Sequence, residues 1–535
     1  MDRHRGALLL LPMLAAVALA IFPYVLYHVP FSTDSWPQIR NAQQIITYSP
    51  APFSNSSIFQ TYNIFWPADS IFGAIGSLMF GTAPVLAMPL LLPILAAAQV
   101  IILFVITEEL TKNSTIASIA SFIFATASFH DLFAAAVTKE TFANPIFLLC
   151  MLLLVKKTDK RIVGLFGVSL FALNLSEHAT TLFFLGALGS IVLLSSIVGK
   201  RKGEKIGLMP LLPMIGVAIT SAYFVLYADM SSFPISQYMN QQTVITALSF
   251  LGVVLVPVVY YSLSKPRRIL PIEESVIFCI VVVGVVVSSK TSLIPDAPTL
   301  PSGLLYFVFP YLAVGFFALI GYRIMQARMD RKSFGVVGAW LGCAIGLAAF
   351  ASFSALPGGV FLTYRMFEYL YAPIAILAGI TLWKASALNV KHIKLSKLLI
   401  VVVLVSITIA TSYQTYAIVT MHESLFGGHW AYEQSDLAAA RWTRSTTEAN
   451  ITLSGDSHVQ YLFGGYFQMN VSETSGYEYL LGLAKPNGLL VTYSLMEKNG
   501  YVLFLYGEPL PNEWMLHLEN ASSLVYANGN VMLWG

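Results

Sequence analysis

Long apolar runs dominate the first 420 residues, and short polar segments separate them. The runs at 7–27, 85–106 and 397–418 are typical, because each is about long enough, as a helix, to cross a hydrocarbon core of roughly 30 Å. The runs lack the alternation of strands, and a chain in lipid must satisfy its backbone groups internally, so we predict membrane-spanning helices. Thirteen spans are predicted, at about residues 7–27, 85–106, 114–131, 143–155, 162–176, 179–198, 207–228, 243–263, 275–289, 303–322, 334–356, 366–383 and 398–419.

The end of the chain shows a different pattern, which predicts a small α/β domain. Residues 435–446 have a helical pattern, and Asn528-Gly529 is typical of a turn. Strand-like runs lie at 489–493, 501–506 and 523–533. We therefore predict a mainly α protein, with a polytopic transmembrane bundle over residues 1–420, a long first outer loop at 28–84 and a small α/β domain over 421–535.

Composition supports membrane insertion, and the charges indicate an orientation. Hydrophobic residues make up 56% of the chain and charged residues 11%, against about 25% charged residues in soluble domains. With the N-terminus in the cytoplasm, 22 of the 30 lysines and arginines fall in inner loops, as expected for cytoplasmic segments. An odd number of spans then places the last domain outside the cell membrane. Of the other lysines and arginines, four lie beyond residue 420, and Arg40, Lys139, Lys290 and Arg365 lie in predicted outer segments.

Several common sequence signatures are absent. The chain has no Walker loop, no zinc-ligand spacing, no Gly-x-Ser-x-Gly and no paired Cys-x-x-Cys. Few charged residues fall within the predicted spans, which is atypical of an ion-coupled transporter. These observations argue against an ATP-driven pump and a metalloprotease.

An aspartate follows the outer end of the first predicted span. Asp34 begins the sequence Asp-Ser-Trp-Pro, and Arg40 follows six residues after it. A carboxylate beside the membrane surface can act as a general base, bind a metal or pair with a basic side chain. It can equally be a solvated acid of a loop or the N-cap of a helix over 35–48, a position that suits Asp. The residues alone leave both interpretations open.

A second polar group follows the third predicted span. Lys139 and Glu140 lie there on the outer side, with His130 and Asp131 just before them. Lys139 departs from the usual distribution of positive charge, which favours a function. The alternative is a surface ion pair between the two neighbours. His130 and Asp131 are candidates for lining a polar cavity.

Two further charged groups lie at predicted outer helix ends. Arg365 can clamp a phosphate with its paired donors, although Glu368 can also neutralise it. Tyr364 either belongs to an interfacial aromatic belt or lines the same cavity. Glu177 and His178 lie in the turn between the fifth and sixth spans, where they either line a polar cavity or cap a helix.

This arrangement resembles the GT-C superfamily of lipid-linked-sugar glycosyltransferases, and most closely the catalytic subunits of archaeal oligosaccharyltransferases. The segment from Asp34 to Arg40 is similar to their first acidic motif, which has an Asp and an Arg at this distance. Glu140 stands at the place of their second acidic motif. Tyr364-Arg365-Met366-Phe367 resembles the Arg-Phe start of a helix whose Arg contacts the lipid-linked phosphate.

The resemblance implies an inverting glycosyltransferase with a polyprenyl (dolichyl) phosphate-linked sugar donor. Asp34 would activate the acceptor, while Arg365, with Lys139 or Arg40, would bind the donor phosphate. Glu140 would orient the acceptor or, in a metal-using version, share Mg²⁺ or Mn²⁺ with Asp34. Family members with monophosphate donors generally need no metal, and we expect no obligatory metal here.

The resemblance has departures that bear on the acceptor. Oligosaccharyltransferases carry a Trp-Trp-Asp-Tyr-Gly motif in the outer domain, and no segment of residues 421–535 matches it. We therefore expect a glycan, lipid or protein acceptor other than a sequon asparagine, with membrane lipid and no nucleic acid as further partners. The alternatives are a lipid or glycan flippase without transferase chemistry, and a receptor or assembly factor acting through the outer domain.

Overall fold

The protein is mainly α-helical in the computed structural model, and the description below is confined to the residues that follow. The structure describes residues 3–48, 65–156, 159–202, 211–225, 240–264, 272–293, 299, 305–329, 331–353, 359–386, 395–423, 430–448, 450–485, 488–503 and 506–535. The helices up to residue 420 are α1 (Arg3–Tyr27), α2 (Ser35–Thr47), α3 (Ala68–Phe80), α4 (Pro84–Thr111), α5 (Ser114–Ala125), α6 (Ser128–Ala135), α7 (Lys139–Val155), α8 (Lys160–Ser176), α9 (His178–Lys202), α10 (Leu211–Tyr223), α11 (Gln241–Leu263), α12 (Ile272–Ser288), α13 (Leu305–Arg328), α14 (Arg331–Phe353), α15 (Gly359–Ser386) and α16 (Leu395–Thr420).

The predicted spans coincide with these helices. Among the described residues, 8 helices are long and apolar enough to cross a membrane, namely α1, α4, α9, α11, α13, α14, α15 and α16. Helices α5 and α6, bent by 63° at their junction, can together form a ninth span. The other predicted spans correspond to the shorter helices α7, α8, α10 and α12. The prediction of a polytopic helical bundle is confirmed.

Polar residues in the connecting segments explain where several helices begin. Asn113, Asp159 and Asn240 are the N-caps of α5, α8 and α11, and each accepts hydrogen bonds from backbone N–H groups of the following turn. Such caps satisfy donors that have no partner inside the helix. Helix α3 ends at Gly81, whose φ of 63° is readily adopted by glycine.

The chain forms two compact units, which are described separately. The first unit comprises Met1–Val17, Leu95–Asp131 and Phe142–Gln414. The second comprises Ala18–Ile94, Leu132–Thr141 and Thr415–Gly535. The domain boundary expected at residue 420 stays a prediction.

Within the first unit, a glycine allows helices α13 and α15 to approach closely. A Cβ atom added at Gly321 would lie 1.9 Å from the backbone oxygen of Leu377 and 2.9 Å from Oγ1 of Thr381. Backbone atoms cannot yield as a flexible side chain does. A larger residue at position 321 must therefore push the two helices apart.

We expect Gly321→Ala to destabilise the protein by about 1–3 kcal/mol, the usual cost of overpacking. Thermal unfolding in detergent measures this as a lower apparent melting temperature. Gly315→Ala on the same helix is the matched control, because a Cβ there meets nothing within 4 Å. Equal melting temperatures for the two variants would contradict the packing described above.

The C-terminal part of the second unit is a small α/β fold. Its helices are α17 (Gln434–Thr446), α18 (Ser457–Val459), α19 (Glu473–Leu480), α20 (Met496–Asn499) and α21 (Trp514–Ala521), and a π-helical turn (Gln460–Tyr466) continues α18. Its strands are β1 (Thr452–Ser454), β2 (Asn470–Ser472), β3 (Leu489–Tyr493), β4 (Tyr501–Leu503), β5 (Tyr506–Glu508), β6 (Leu524–Ala527) and β7 (Val531–Trp534). The prediction of an α/β region is confirmed.

Five of these strands form a mixed sheet in the order β2-β1-β3-β7-β6, and β4 and β5 form a separate antiparallel pair. Strand β1 lies parallel to β2 and β3, whereas β7 lies antiparallel to β3 and β6. The predicted turn joins β6 to β7: Gly529 has a φ of 90°, and Asn528 Oδ1 accepts a hydrogen bond of 2.9 Å from the Val531 N–H. Asn-Gly suits this turn because glycine tolerates positive φ.

Residues 29 and 36, from the segment predicted as the first outer loop, share one hydrophobic core with the C-terminal region in the second unit. Trp36 of α2 is fully buried there, together with Val29. Its ring lies 5.3 Å from that of Tyr432 and 5.4 Å from that of Tyr466. Packing of this kind fixes the start of α2, which carries Asp34.

Candidate functional site

A hydrogen bond between distant segments of the second unit joins the predicted acidic motifs. Ser35 Oγ accepts a bond of 2.9 Å from the Val137 N–H and donates to the carbonyl of Phe31. Phe31 and Ala136 also form a parallel β-bridge. Asp34 directly precedes Ser35, and Glu140 lies in the first turn of α7, shortly after Val137. The structure thus brings together two segments that the sequence presents separately.

Asp34 occupies the N-cap position of α2 without acting as a cap. Its side chain makes no capping hydrogen bond, and its backbone already has helical angles. The side chain is partly exposed, whereas the residues around it are buried. The N-cap interpretation is therefore wrong for the carboxylate, while the interpretation as a reactive group stays a prediction.

Lys139 and Glu140 begin α7 and are buried. They are therefore not an ion pair on the protein surface, as the alternative interpretation had it. The ammonium group of Lys139 lies 5.5 Å from the ring centroid of Trp66, within the range of a cation–π contact. Burial of a charge is costly unless an opposite charge or a polar group compensates it. Thr138 and Thr141 stabilise the turn, since their hydroxyl groups lie 3.0 Å apart.

A second aspartate completes this cluster, and the site predictions did not include it. Asp69, in the first turn of α3, is fully buried, and its Oδ2 receives no hydrogen bond from the described residues. Burial raises its pKa to about 7; Lys139 opposes the rise and Glu140 adds to it. The only sequence signal is an acid at the start of an apolar helix, just after Trp66-Pro67.

We expect Asp69→Asn to flatten the pH dependence of stability. The pKa of Asp69 in the folded protein is above its ordinary value of 3.8, so its contribution is largest below that pH and is lost as pH rises through about 7. This rise in the pKa of Asp69 from 3.8 to about 7 corresponds to about 4 kcal/mol at most. The wild-type melting temperature should fall more between pH 5 and pH 8 than that of the variant. Parallel curves for the two proteins would contradict the burial of an ionisable Asp69, and the exposed Glu478→Gln is the control.

A second charged cluster lies within the first unit, in the turn between α8 and α9. Glu177 is fully buried, and its carboxylate accepts a hydrogen bond from the Thr180 N–H. His178 Nδ1 lies 3.0 Å and Arg365 Nη1 lies 3.9 Å from Glu177 Oε1. The structure therefore brings together two predicted groups that are far apart in the sequence.

Aromatic and amide side chains surround Arg365 on α15. Tyr364 is buried, and its ring lies 5.7 Å from that of Phe129. Asn144 donates a hydrogen bond to the carboxylate of Glu368, one turn beyond Arg365. These contacts fix the part of α15 that carries the guanidinium group.

The other predicted residues have different surroundings. His130 is buried with its ring 4.4 Å from that of Phe124, and neither ring nitrogen has a hydrogen-bond partner among the described residues. Asp131 is fully buried as well. Arg40 donates a bond of 2.9 Å from Nη2 to Gln468 Oε1 in the C-terminal region. A cavity-lining role for His130 and Asp131, and phosphate binding by Arg40, stay predictions.

The described residues do not provide a complete metal site. No group of three or more His, Cys, Asp or Glu side chains that could hold a metal ion is found among them. Asp34 and Glu140 supply two carboxylates, and Mg²⁺ is commonly held by one or two carboxylates together with substrate phosphates and water. The expectation of no obligatory metal and the alternative of Mg²⁺ or Mn²⁺ shared by Asp34 and Glu140 both stay predictions.

Comparison with solved structures identifies the class of fold. The archaeal oligosaccharyltransferase AglB from Archaeoglobus fulgidus, in complex with an inhibitory peptide and a dolichol-phosphate, matches with a TM-score of 0.55 and 12% identity. The match covers 93% of this chain and 70% of that one. ArnT from Cupriavidus metallidurans, bound to undecaprenyl phosphate, matches with a TM-score of 0.53 and 12% identity over 98% of this chain and 97% of that one. No family model and no curated protein sequence matches the chain.

Both structures are GT-C glycosyltransferases, so the chain has the fold of that class. It is a multi-pass membrane protein with a small α/β region at its C-terminal end, as predicted. A third match, of 13% identity and TM-score 0.51, is the A. fulgidus oligosaccharyltransferase in complex with Zn and sulfate. At these identities the likeness concerns the fold.

Proposed function

We propose that the protein is a membrane glycosyltransferase that moves a sugar from a polyprenyl-phosphate donor to an acceptor on the outer face of the cell membrane. The observation that carries this proposal is the hydrogen bond between Ser35 and Val137. This bond holds the chain next to Asp34 against the segment that leads into Lys139 and Glu140. Solved proteins of the same fold are bound to dolichol-phosphate and undecaprenyl phosphate, which supports a lipid-linked donor.

In the proposed reaction an acceptor hydroxyl attacks the anomeric carbon of the donor sugar. Asp34 accepts the hydroxyl proton as the new bond forms, and the bond from the anomeric carbon to the phosphate oxygen breaks. The leaving polyprenyl phosphate carries the electron pair away, and one displacement inverts the anomeric configuration. The phosphate leaves as an anion and therefore needs no strong acid.

Cationic groups stabilise the phosphate in this proposal. Arg365 offers a planar pair of donors that matches two phosphate oxygens. Lys139 adds a charge beside Glu140 in the chain, and its buried position strengthens its interaction with an anion. Glu140 orients the acceptor. Arg40, which donates a hydrogen bond to Gln468 in the C-terminal region, is the other candidate ligand of the phosphate.

Purified protein in lipid nanodiscs provides the test. With dolichyl- or undecaprenyl-monophosphate sugars, we expect release of free polyprenyl phosphate and transfer of the sugar, whereas nucleotide sugars should give no product. Movement of the intact lipid-linked sugar across the bilayer without cleavage would instead indicate a flippase and would contradict the proposal.

A further inference from the structure

The turn between α8 and α9 contains a buried acid to which the proposed reaction gives no role. Glu177 ends α8 in an extended conformation, with φ −162° and ψ 129°, and His178 begins α9. Its carboxylate has 0% exposure, against 24% for the side chain of His178 and 27% for that of Arg365. The acid thus lies beneath two basic side chains that solvent can reach.

A buried carboxylate is strongly unfavourable without compensation, because it loses its hydration. Here the Thr180 N–H donates to Oε2 of Glu177, and His178 and Arg365 both approach its Oε1. Thr180 also pairs through its hydroxyl with that of Tyr369, one turn beyond Arg365 on α15. Residues of α9 and α15 therefore hold the Glu177 carboxylate in place, and the carboxylate in turn restrains the Arg365 guanidinium group.

Restraint matters because an arginine side chain has several rotatable bonds. Ordering such a side chain on binding costs about 0.5–1.5 kcal/mol, which is avoided when the unbound protein already holds it. The Arg365 guanidinium approaches Glu177 Oε1 through Nη1 at 3.9 Å, and its side chain is partly exposed.

We propose that Glu177 is a positioning residue that orients the Arg365 guanidinium for an anionic lipid phosphate. This inference rests on the proposed function in one respect, which is the assignment of the anion to the donor's phosphate. The carboxylate does not touch the phosphate. It fixes the direction of the Arg365 guanidinium, so that binding requires little reorganisation.

The test measures the Kd of dolichyl monophosphate for full-length protein in nanodiscs. Glu177→Gln keeps the shape but removes the charge, and we expect the Kd to rise about tenfold. Combining it with Arg365→Ala gives a double-mutant cycle. If Glu177 acts through Arg365, then Glu177→Gln has no further effect once Arg365 is alanine, whereas a general structural effect would be the same in both backgrounds.

Several results would overturn the inference. An unchanged Kd for Glu177→Gln contradicts it, as does an equal rise with and without Arg365. Glu177→Asp keeps the charge and should recover part of the affinity, so a Kd no better than that of Glu177→Gln also contradicts it. A wild-type protein that binds the lipid phosphate with this coupling but transfers no sugar would refute the proposed function and leave the inference standing.

Discussion

Asp34→Asn should lower the rate of sugar transfer by about 10²–10⁴-fold, the usual contribution of a positioned general base. Asparagine has nearly the same shape but cannot accept the acceptor's proton. The side chain of Asp34 does not cap α2, so its replacement should leave the fold intact. Steady-state kinetics with a lipid-linked sugar donor measures the effect as a loss of kcat with little change in the donor KM.

A matched control separates loss of the base from loss of structure. Glu513 is also an N-cap acid whose side chain makes no capping bond, at the start of α21, and it is exposed. Glu513→Gln should leave kcat within about twofold, because surface changes of this kind have small effects. Full activity in Asp34→Asn would remove the assignment of Asp34 as the base.

The second large effect concerns the guanidinium of Arg365. Arg365→Ala should raise the donor KM by about 10- to 100-fold, which corresponds to the loss of a charge-assisted hydrogen bond of about 1.5–3 kcal/mol. Arg365→Lys should be intermediate, because lysine keeps the charge but lacks the planar pair of donors. Donor titrations at fixed acceptor concentration measure both variants.

Arg161→Ala is the control for charge removal, since this exposed arginine lies at the first turn of α8, on the predicted cytoplasmic side. Its donor KM should be that of the wild type. A donor KM unaffected by Arg365→Ala would show that the phosphate binds elsewhere. A fall in kcat alone would also contradict a role in donor binding.

The fold was largely predictable because lipid imposes a strong pattern. Apolar runs of sufficient length must become helices, and each of the thirteen predicted spans overlaps a helix of the described residues. Among these residues, 8 helices, or 9 spans with the bent pair of α5 and α6, are long and apolar enough to cross a membrane. Helices α8 and α9 illustrate the finer detail, since they overlap the spans predicted at 162–176 and 179–198, with Glu177 in the turn between them. The predicted strand-like runs overlap β3, β4, β6 and β7, and β3 and the Asn528-Gly529 turn have strong local signals, whereas β1 and β2 were not predicted.

The assembly of the candidate site was less predictable. Asp69 was missed because an acid near the start of a helix resembles an ordinary first-turn residue, and only tertiary packing buries it. The hydrogen bond between Ser35 and Val137 also depends on tertiary contacts. Glu177 and Arg365 were separate candidates in the sequence, and no local pattern indicates that the first holds the second.

A structure of the protein with bound dolichyl monophosphate tests the central claim most directly. The account predicts that the phosphate accepts hydrogen bonds from the Arg365 guanidinium and that the Asp34 carboxylate faces the space where the anomeric carbon would lie. Binding of the phosphate away from Arg365, or an Asp34 side chain that opens onto a surface without access to the lipid, would contradict the account.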